Sequence, residues 1–269
     1  MTDKEKLDKK KLVEYRTDGG VAILTLTNPP ANTYSYEMMR DLDEAVLHAR
    51  MDDDVHVLVV TGAGDKFFCA GADISMLEAV TPRYKYYFCL HANETLCRLE
   101  QTPKLVIAAM NGHTVGGGLE VALAADLRVA KAGAGKVGLP EVSLGVLPGT
   151  GGTQRLARTI GRSKSIEMMA KGTLLTPEQA ATLGIVNEIL PADGFLDRAI
   201  DYARQFCPPA KAAYAVGRIK RAVQTGLEVG FEQGLALERE LQQLLFQSDD
   251  AKEGIAAYVQ KRKPEFTGR

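Results

Sequence analysis

The sequence predicts an α/β fold of repeated strand-strand-helix units followed by a helical C-terminal region. Three observations predict it. Apolar runs of strand length recur at Val21 to Leu26, Val55 to Thr61 and Leu105 to Met110, the last two leaving through glycine-bearing corners. Between them lie stretches with apolar residues at three- and four-residue spacing, such as Met38, Met39, Leu42, Ala45, Val46 and Ala49. From about Asp193 onward nearly all the spacing is helical, broken at Pro208-Pro209, Gly226 and Gly230.

Taken in order, Lys4 to Lys11 is charged and carries no apolar core of a signal, so residues 1–11 read as a solvated tail. Residues 12–192 form the core and 193–269 the helical region. Leu12 to Tyr15 and Val21 to Leu26 flank Thr17-Asp18-Gly19-Gly20, the residue chemistry of a hairpin turn. Asn28-Pro29-Pro30 stops the second strand, and Ser35 precedes the first helix. After the strand at Val55 to Thr61, small residues from Cys69 to Asp73 allow backbone to approach a ligand. Pro82 to Glu100 is helical, with Tyr84, Tyr86, Tyr87 and Phe88 as core or subunit contacts. Leu105 to Met110 is a strand that exits through Asn111-Gly112 to Gly116-Gly117-Gly118, and Leu119 to Ala125 is a helix too apolar to face water. Extended segments follow at Leu127 to Ala132 and Lys136 to Gly138. Gly145 to Gly152 is a glycine-rich loop that opens a helix through Arg155 and Leu156. Thr176-Pro177-Glu178-Gln179 has the form of a capping box with proline at the first helical position.

Composition excludes several functions. Thirty-three Lys plus Arg balance 34 Asp plus Glu in 269 residues, which gives no electrostatic case for nucleic acid or a membrane surface as partner. Cys69, Cys89, Cys97 and Cys207 show neither C-x-x-C nor staple-like spacing, which favours reduced thiols and a cytoplasmic location. His48, His56, His91 and His113 form no metal motif, so no metal site is expected. Gly133-x-Gly135-x-x-Gly138 matches a dinucleotide fingerprint, yet Leu139-Pro140-Glu141 stands where the phosphate-binding helix would begin. There is no P-loop or G-x-S-x-G elbow, and no Ser or Cys at a turn beside a His.

Two glycine-rich strand exits remain, around Gly71-Ala72 and around Gly117, with Glu120 and Glu141 downstream. Glu120 alone interrupts a buried apolar helix, and a carboxylate there needs a cap, a partner or chemistry to explain it. N–H groups freed at such exits can converge on an oxygen that gains charge. With two carboxylates, that arrangement suits proton transfer at the carbon beside a carbonyl. Structural roles stay open at this level: Glu120 as a helix-start residue, Asp73 as a cap, Glu141 as a loop carboxylate, and the glycines as close-packing sites.

Four motifs in order and spacing resemble the enoyl-CoA hydratase/isomerase (crotonase) family: Phe68 to Ile74, Asn111 to Glu120, Leu139-Pro140-Glu141, and Pro148 to Leu156. The similarity runs from Leu12 to Phe266. It implies a crotonase-like spiral of strand-strand-helix units, homotrimers or homohexamers, and an acyl-CoA substrate whose carbonyl oxygen sits between the N–H groups of Ala72 and Gly117. The family's hydratases carry both glutamates, whereas isomerases usually keep only the later one. The resemblance therefore implies an enoyl-CoA hydratase in which Glu120 holds and activates water and Glu141 exchanges the α-carbon proton. Gly149 orients the site. Ala70, Ala72 and Ile74 meet the adenine end of coenzyme A, Lys261 reaches one of its phosphates, and Met76, Leu77, Tyr84 and Tyr87 form the acyl pocket. No cofactor beyond the substrate's coenzyme A is implied. Alternatives are an enoyl-CoA isomerase, a hydratase for a branched or cyclic substrate such as methylglutaconyl-CoA, and a non-catalytic CoA-binding or RNA-binding protein. Twenty residues separate Glu120 from Glu141, one more than in common hydratases, and the extra residue falls near Gly133 to Gly135.

Overall fold

A computed structural model describes residues 11–269. The charged tail read over 1–11 lies, Lys11 apart, outside those residues. The large sheet holds β1 (Val13–Asp18), β2 (Val21–Leu26), β3 (Val57–Gly62), β5 (Leu105–Met110), β7 (Leu127–Lys131) and β9 (Glu188–Leu190), in that spatial order. A small sheet holds β4 (Phe67–Cys69), β6 (His113–Val115) and β8 (Val137–Gly138).

β1 and β2 form the expected hairpin, with Asp18 opposite Val21. All further pairing in the large sheet is parallel: Val21 lies beside Val57, Val57 beside Leu105, Ile107 beside Leu127, and Val129 beside Glu188. The small sheet is parallel as well. Each turn of the chain gives one strand to the large sheet, rounds a corner, gives the next to the small sheet, and then enters a helix. β3 and β4 lead to α2 (Ile74–Ala79) and α3 (Pro82–Glu100), and β5 and β6 to α4 (Gly117–Leu123). β7 and β8 lead to a 3-10 turn (Glu141–Leu144) and α5 (Gly152–Ile160). This is the crotonase spiral, preceded by α1 (Tyr36–Met51) after the hairpin.

The corner after β5 is tied by Asn111. Its Nδ2 donates to the Gly62 and Gly64 carbonyls at 3.0 and 2.6 Å, and its Oδ1 accepts from the Gly62 N–H at 3.1 Å. A buried amide that satisfies three backbone groups fixes where the chain leaves the large sheet.

The central strands β2, β3 and β5 are predominantly apolar because both faces are covered. Leu24, Leu58, Val60, Val106 and Ala108 pack with Leu42 and Val46 of α1 and with Phe88 and Leu96 of α3. Their alternating partners Ile23, Val57, Val59, Ile107 and Ala109 face Phe195, Ala199 and Ala203. Those three belong to α8 (Phe195–Arg204), which follows α6 (Arg162–Lys171) and α7 (Pro177–Thr182). The C-terminal region is helical from there on, as expected, but its first helix seals the second face of the sheet. α9 (Ala213–Gly226) is joined to the sheet by a Lys220–Asp126 ion pair at 2.7 Å and by donation from Lys220 to the Lys104 carbonyl at 3.0 Å. α10 (Phe231–Phe246) and α11 (Asp249–Gln260) bury little: Leu241 on one, Asp250 and Ala257 on the other.

The capping box at Thr176 and Gln179 is present. β4, β6, α2 and α6 do not follow from the sequence pattern, since the first three are three to six residues long, too short to display a period. No helix among the described residues is long and apolar enough to cross a membrane.

Candidate active site

α4 is buried along its whole length. It begins where Gly116, at φ 57 and ψ −134, turns the chain sharply off β6, a conformation that a side chain would resist. A Cβ on Gly118 would stand 1.9 Å from the Cys69 carbonyl oxygen, so the helix can sit against β4 only with glycine there. The glycines do serve close packing, and the packing brings two strand exits together.

Glu120 lies in the first turn of α4, 2 % exposed. Its carboxylate accepts from the backbone N–H of Thr150 at 2.8 Å, from that of Gly152 at 2.7 Å, and from the Thr150 hydroxyl. Three donors offset the loss of water around the group. Gly152 opens α5, whose N-cap Gly151 has no side chain to supply, so Glu120 caps a helix other than its own. Behind Thr150 stands Tyr34, 3 % exposed, with its hydroxyl 3.1 Å from Thr150 Oγ1. Since the Thr150 hydrogen goes to Glu120, the Tyr34 hydroxyl donates to Thr150. Burial, reinforced by the Glu120 charge, holds the Tyr34 phenol well above its usual range, so it stays a donor.

Glu141 opens the 3-10 turn after Leu139-Pro140 and is half-buried. Its Oε2 is enclosed by protein and has no hydrogen-bond partner among the described residues. Burial, with a further push from Glu120, raises its carboxyl to about 7, against the pull of the Lys85 ammonium. The two glutamates are therefore in different states of satisfaction: Glu120 is held by three donors, whereas Glu141 has an oxygen without a partner among the described residues and a carboxyl raised to about 7.

Two backbone donors complete the arrangement. Gly117 is the first residue of α4, where an N–H has no intrahelical acceptor. Ala72 pairs with Tyr34 in a single parallel bridge through its neighbours' groups. Neither the Ala72 nor the Gly117 N–H has a partner among the described residues. The exits abut, since a Cβ on Gly71 would lie 2.9 Å from the Gly117 nitrogen.

These groups line one cavity of about 550 Å³. Of the residues expected from the sequence, Ala70, Ala72, Ile74, Leu77, Gly117, Glu120, Glu141 and Gly149 border it. Met76, Tyr84 and Tyr87, expected in the acyl pocket, do not. Met76 packs against the core, and on α3 the inward positions are Lys85 and Phe88, which leaves Tyr84 and Tyr87 exposed at 44 % and 53 %. Apolar cover comes instead from Val80, Leu144, Val146 and Leu147. Lys261 ends α11 in a left-handed turn, exposed and outside the cavity. Gly133 and Gly135, where the extra residue is expected, sit in the loop joining β7 to β8, with β7 paired to β5 before it and β8 to β6 after it. Tyr34, Thr150 and Lys85 carry contacts that the sequence reading assigned to no one. Thr150 lies inside a quoted motif, whereas nothing in the sequence pattern distinguishes Tyr34 or Lys85. Asp73 is a cap, accepting from the Ser75 and Met76 N–H groups of α2. Among the described residues no group of three or more His, Cys, Asp or Glu is placed to hold a metal ion.

A family model described as enoyl-CoA hydratase/isomerase matches residues 16–269. The chain belongs to that family. Within it, similar relatives include the 2,3-dehydroadipyl-CoA hydratase of Escherichia coli K12, 37% identical over 254 residues that cover 93% of this chain and 96% of the relative. The short-chain-enoyl-CoA hydratase of Clostridium acetobutylicum is 33% identical over 249 residues, 92% of this chain and 95% of the relative. An enoyl-CoA hydratase crystal structure from Geobacillus kaustophilus HTA426 superposes with a TM-score of 0.93 at 45% identity, covering 97% of this chain and 98% of that one. The fold assigned above is the family's fold.

Proposed function

We propose that the protein is an enoyl-CoA hydratase that adds water reversibly and syn across the 2,3 double bond of an enoyl-CoA to give a 3-hydroxyacyl-CoA. The observation that carries this reading is that two carboxylates and two unpartnered N–H groups border one cavity. A thioester oxygen held by the Ala72 and Gly117 N–H groups gains negative charge as the β-carbon is attacked. Glu120 holds the water and takes its proton while the hydroxyl bonds to the β-carbon. Glu141 gives its proton to the α-carbon. The pair holds one proton before and after, moved from one carboxyl to the other, and a carboxyl raised to about 7 is suited to that task. The chemistry needs neither a redox group nor a metal. Because the net reaction releases no proton, kcat/KM must have the same pH dependence in both directions, with apparent pKa values that belong to the pair.

Coenzyme A would run past Ala70, Ala72 and Ile74, with Lys261 as a phosphate contact. A homotrimer or homohexamer is supported by large apolar side chains exposed on the C-terminal helices and their connection, among them Leu227, Phe231, Phe246, Tyr258 and Val259.

The test is loss of conjugated-thioester absorbance with crotonyl-CoA and longer enoyl-CoAs, for the wild type and for Glu120→Gln and Glu141→Gln. Each variant is expected to lose about 10²- to 10⁴-fold in kcat. Full activity in either would remove that carboxylate from the mechanism, and conversion of a 3-enoyl-CoA without hydration would favour isomerisation.

A further inference from the structure

One group in the cavity has no part in the chemistry described. Lys85 is the only Lys or Arg among the described residues that borders the cavity. It lies on α3 one turn beyond the Thr81 cap, on the same helix face as buried Phe88 and Ala92. The side chain is half-buried and has no ion pair or hydrogen bond among the described residues; its recorded contact is the Phe88 ring, 5.1 Å from Nζ. The cavity it borders has a largely apolar wall, with Ile74, Leu77, Val80, Leu144 and Leu147 among the lining residues. The carboxyl that feels its charge is Glu141, and in the proton-donating state proposed above that carboxyl is neutral, which leaves the ammonium without an anionic partner and favours an anionic ligand.

Its position selects which anion. The Phe88 ring beneath the ammonium stacks on Tyr34 with 5.7 Å between centroids, and the Tyr34 hydroxyl meets Thr150, the partner of Glu120, so Lys85 stands toward the end of the cavity that holds the two glutamates, and its charge is felt by the Glu141 carboxyl. The phosphates of coenzyme A lie on the far side of the long pantetheine arm from that carbon. A negative group close to Glu141 therefore belongs to the acyl portion. The apolar residues then accommodate the methylenes between thioester and anion, and the ammonium receives the terminus.

We infer that Lys85 is a specificity-determining residue that receives a carboxylate at the far end of the acyl chain, making the preferred substrate the CoA thioester of an unsaturated dicarboxylic acid. The inference rests on the hydratase reading only for where the acyl chain lies. A charge-assisted hydrogen bond of this kind corresponds to a preference of about 10- to 100-fold over a neutral chain of equal length.

Two measurements test it independently of catalysis and with it. Calorimetric binding of saturated analogues, glutaryl-CoA against butyryl-CoA and adipyl-CoA against hexanoyl-CoA, gives a ratio of Kd values within each variant. The wild type is expected to favour at least one carboxylated member by about tenfold or more. Lys85→Arg keeps that preference, Lys85→Met brings the ratio close to unity, and Lys85→Glu inverts it. Ratios within one variant cancel any common loss of affinity, and the wild-type ratio needs no variant to fold. The proposal is overturned if the wild type shows no preference, or if Lys85→Met keeps the wild-type ratio. Hydration of glutaconyl-CoA against crotonyl-CoA is then followed by absorbance. If no enoyl-CoA is hydrated while the binding ratio holds, the hydratase reading fails and the carboxylate subsite stands; if crotonyl-CoA is hydrated with no carboxylate preference in binding, the reverse is true.

Discussion

Replacing Thr150 by valine removes one donor from Glu120 and one acceptor from Tyr34 while retaining the branched shape of the side chain. The two effects have separate magnitudes. Loss of a hydrogen bond to an ionised carboxylate costs about 1.5–3 kcal/mol, moderated here because the Thr150 and Gly152 N–H groups continue to hold Glu120. Leaving the buried Tyr34 hydroxyl without a partner adds about 1–3 kcal/mol. Thr150→Val is thus expected to lose about 3 kcal/mol in urea unfolding, and Tyr34→Phe about 1 kcal/mol. In the double variant no orphaned hydroxyl remains, so its loss falls short of the sum by about 1–2 kcal/mol. Catalysis follows the same line: a Glu120 held by two donors instead of three positions water less firmly, which lowers kcat about 10- to 100-fold with a smaller change in KM. Strict additivity of the two stabilities, together with an unchanged kcat in Thr150→Val, would refute the chain from Tyr34 through Thr150 to Glu120.

Three further outcomes are expected. Since the folded carboxyl of Glu141 stands at about 7 against 4.5 unfolded, the native state binds more protons between those values and stability falls as pH rises through that window. Discounted for partial solvent exposure, the effect is at most about 2 kcal/mol, and Glu141→Gln should flatten the profile; in the wild type kcat/KM should fall tenfold per pH unit above a limb near 7. Lys220→Met leaves Asp126 buried without its cation and is expected to cost about 3–5 kcal/mol by chemical denaturation, with Lys220→Met/Asp126→Asn recovering part of it. Gly217→Ala would place a methyl 2.2 Å from the Pro103 carbonyl oxygen, and thermal unfolding should show a loss of about 1–3 kcal/mol as α9 shifts off β5.

Much of the architecture is legible in the sequence for physical reasons that can be named. Strands of the large sheet are covered on both faces, so Leu105 to Met110 appears as an unbroken apolar run and Val21 to Leu26 as one interrupted only at Thr25. Capped helices carry their own start signals, as at Ser35 and Thr176. The small sheet does not, because β8 is two residues long and its pairing is set by corners such as the one that Asn111 ties. At the site, Glu120 is legible as a charge in an apolar helix, and the glycines as close approaches. Its partners are not: Thr150 and Tyr34 come from 30 residues downstream and 86 upstream, joined only by the tertiary fold. The tyrosines of α3 illustrate the opposite error. Their clustering reads as core or subunit contacts and the resemblance places Tyr84 and Tyr87 in the acyl pocket, whereas helical periodicity turns Lys85 and Phe88 inward and Tyr84 and Tyr87 to solvent.

The placement of Gly117 and Glu120 within one helical turn of α4 has a consequence for how such a site can change. The Gly117 N–H, proposed as donor for the thioester oxygen, and the Glu120 carboxylate, proposed to hold water, share a single rigid helix wedged between β4 and the start of α5. Glu141 hangs on a separate short turn that runs into the exposed segment Val142 to Leu147. On the proposed reading, remodelling that segment would retune the α-carbon end and the mouth of the chamber without disturbing the half assigned to the thioester. The molecule is in effect divided into a fixed jaw and an adjustable one, and diversification toward new acyl groups has an open route through the second.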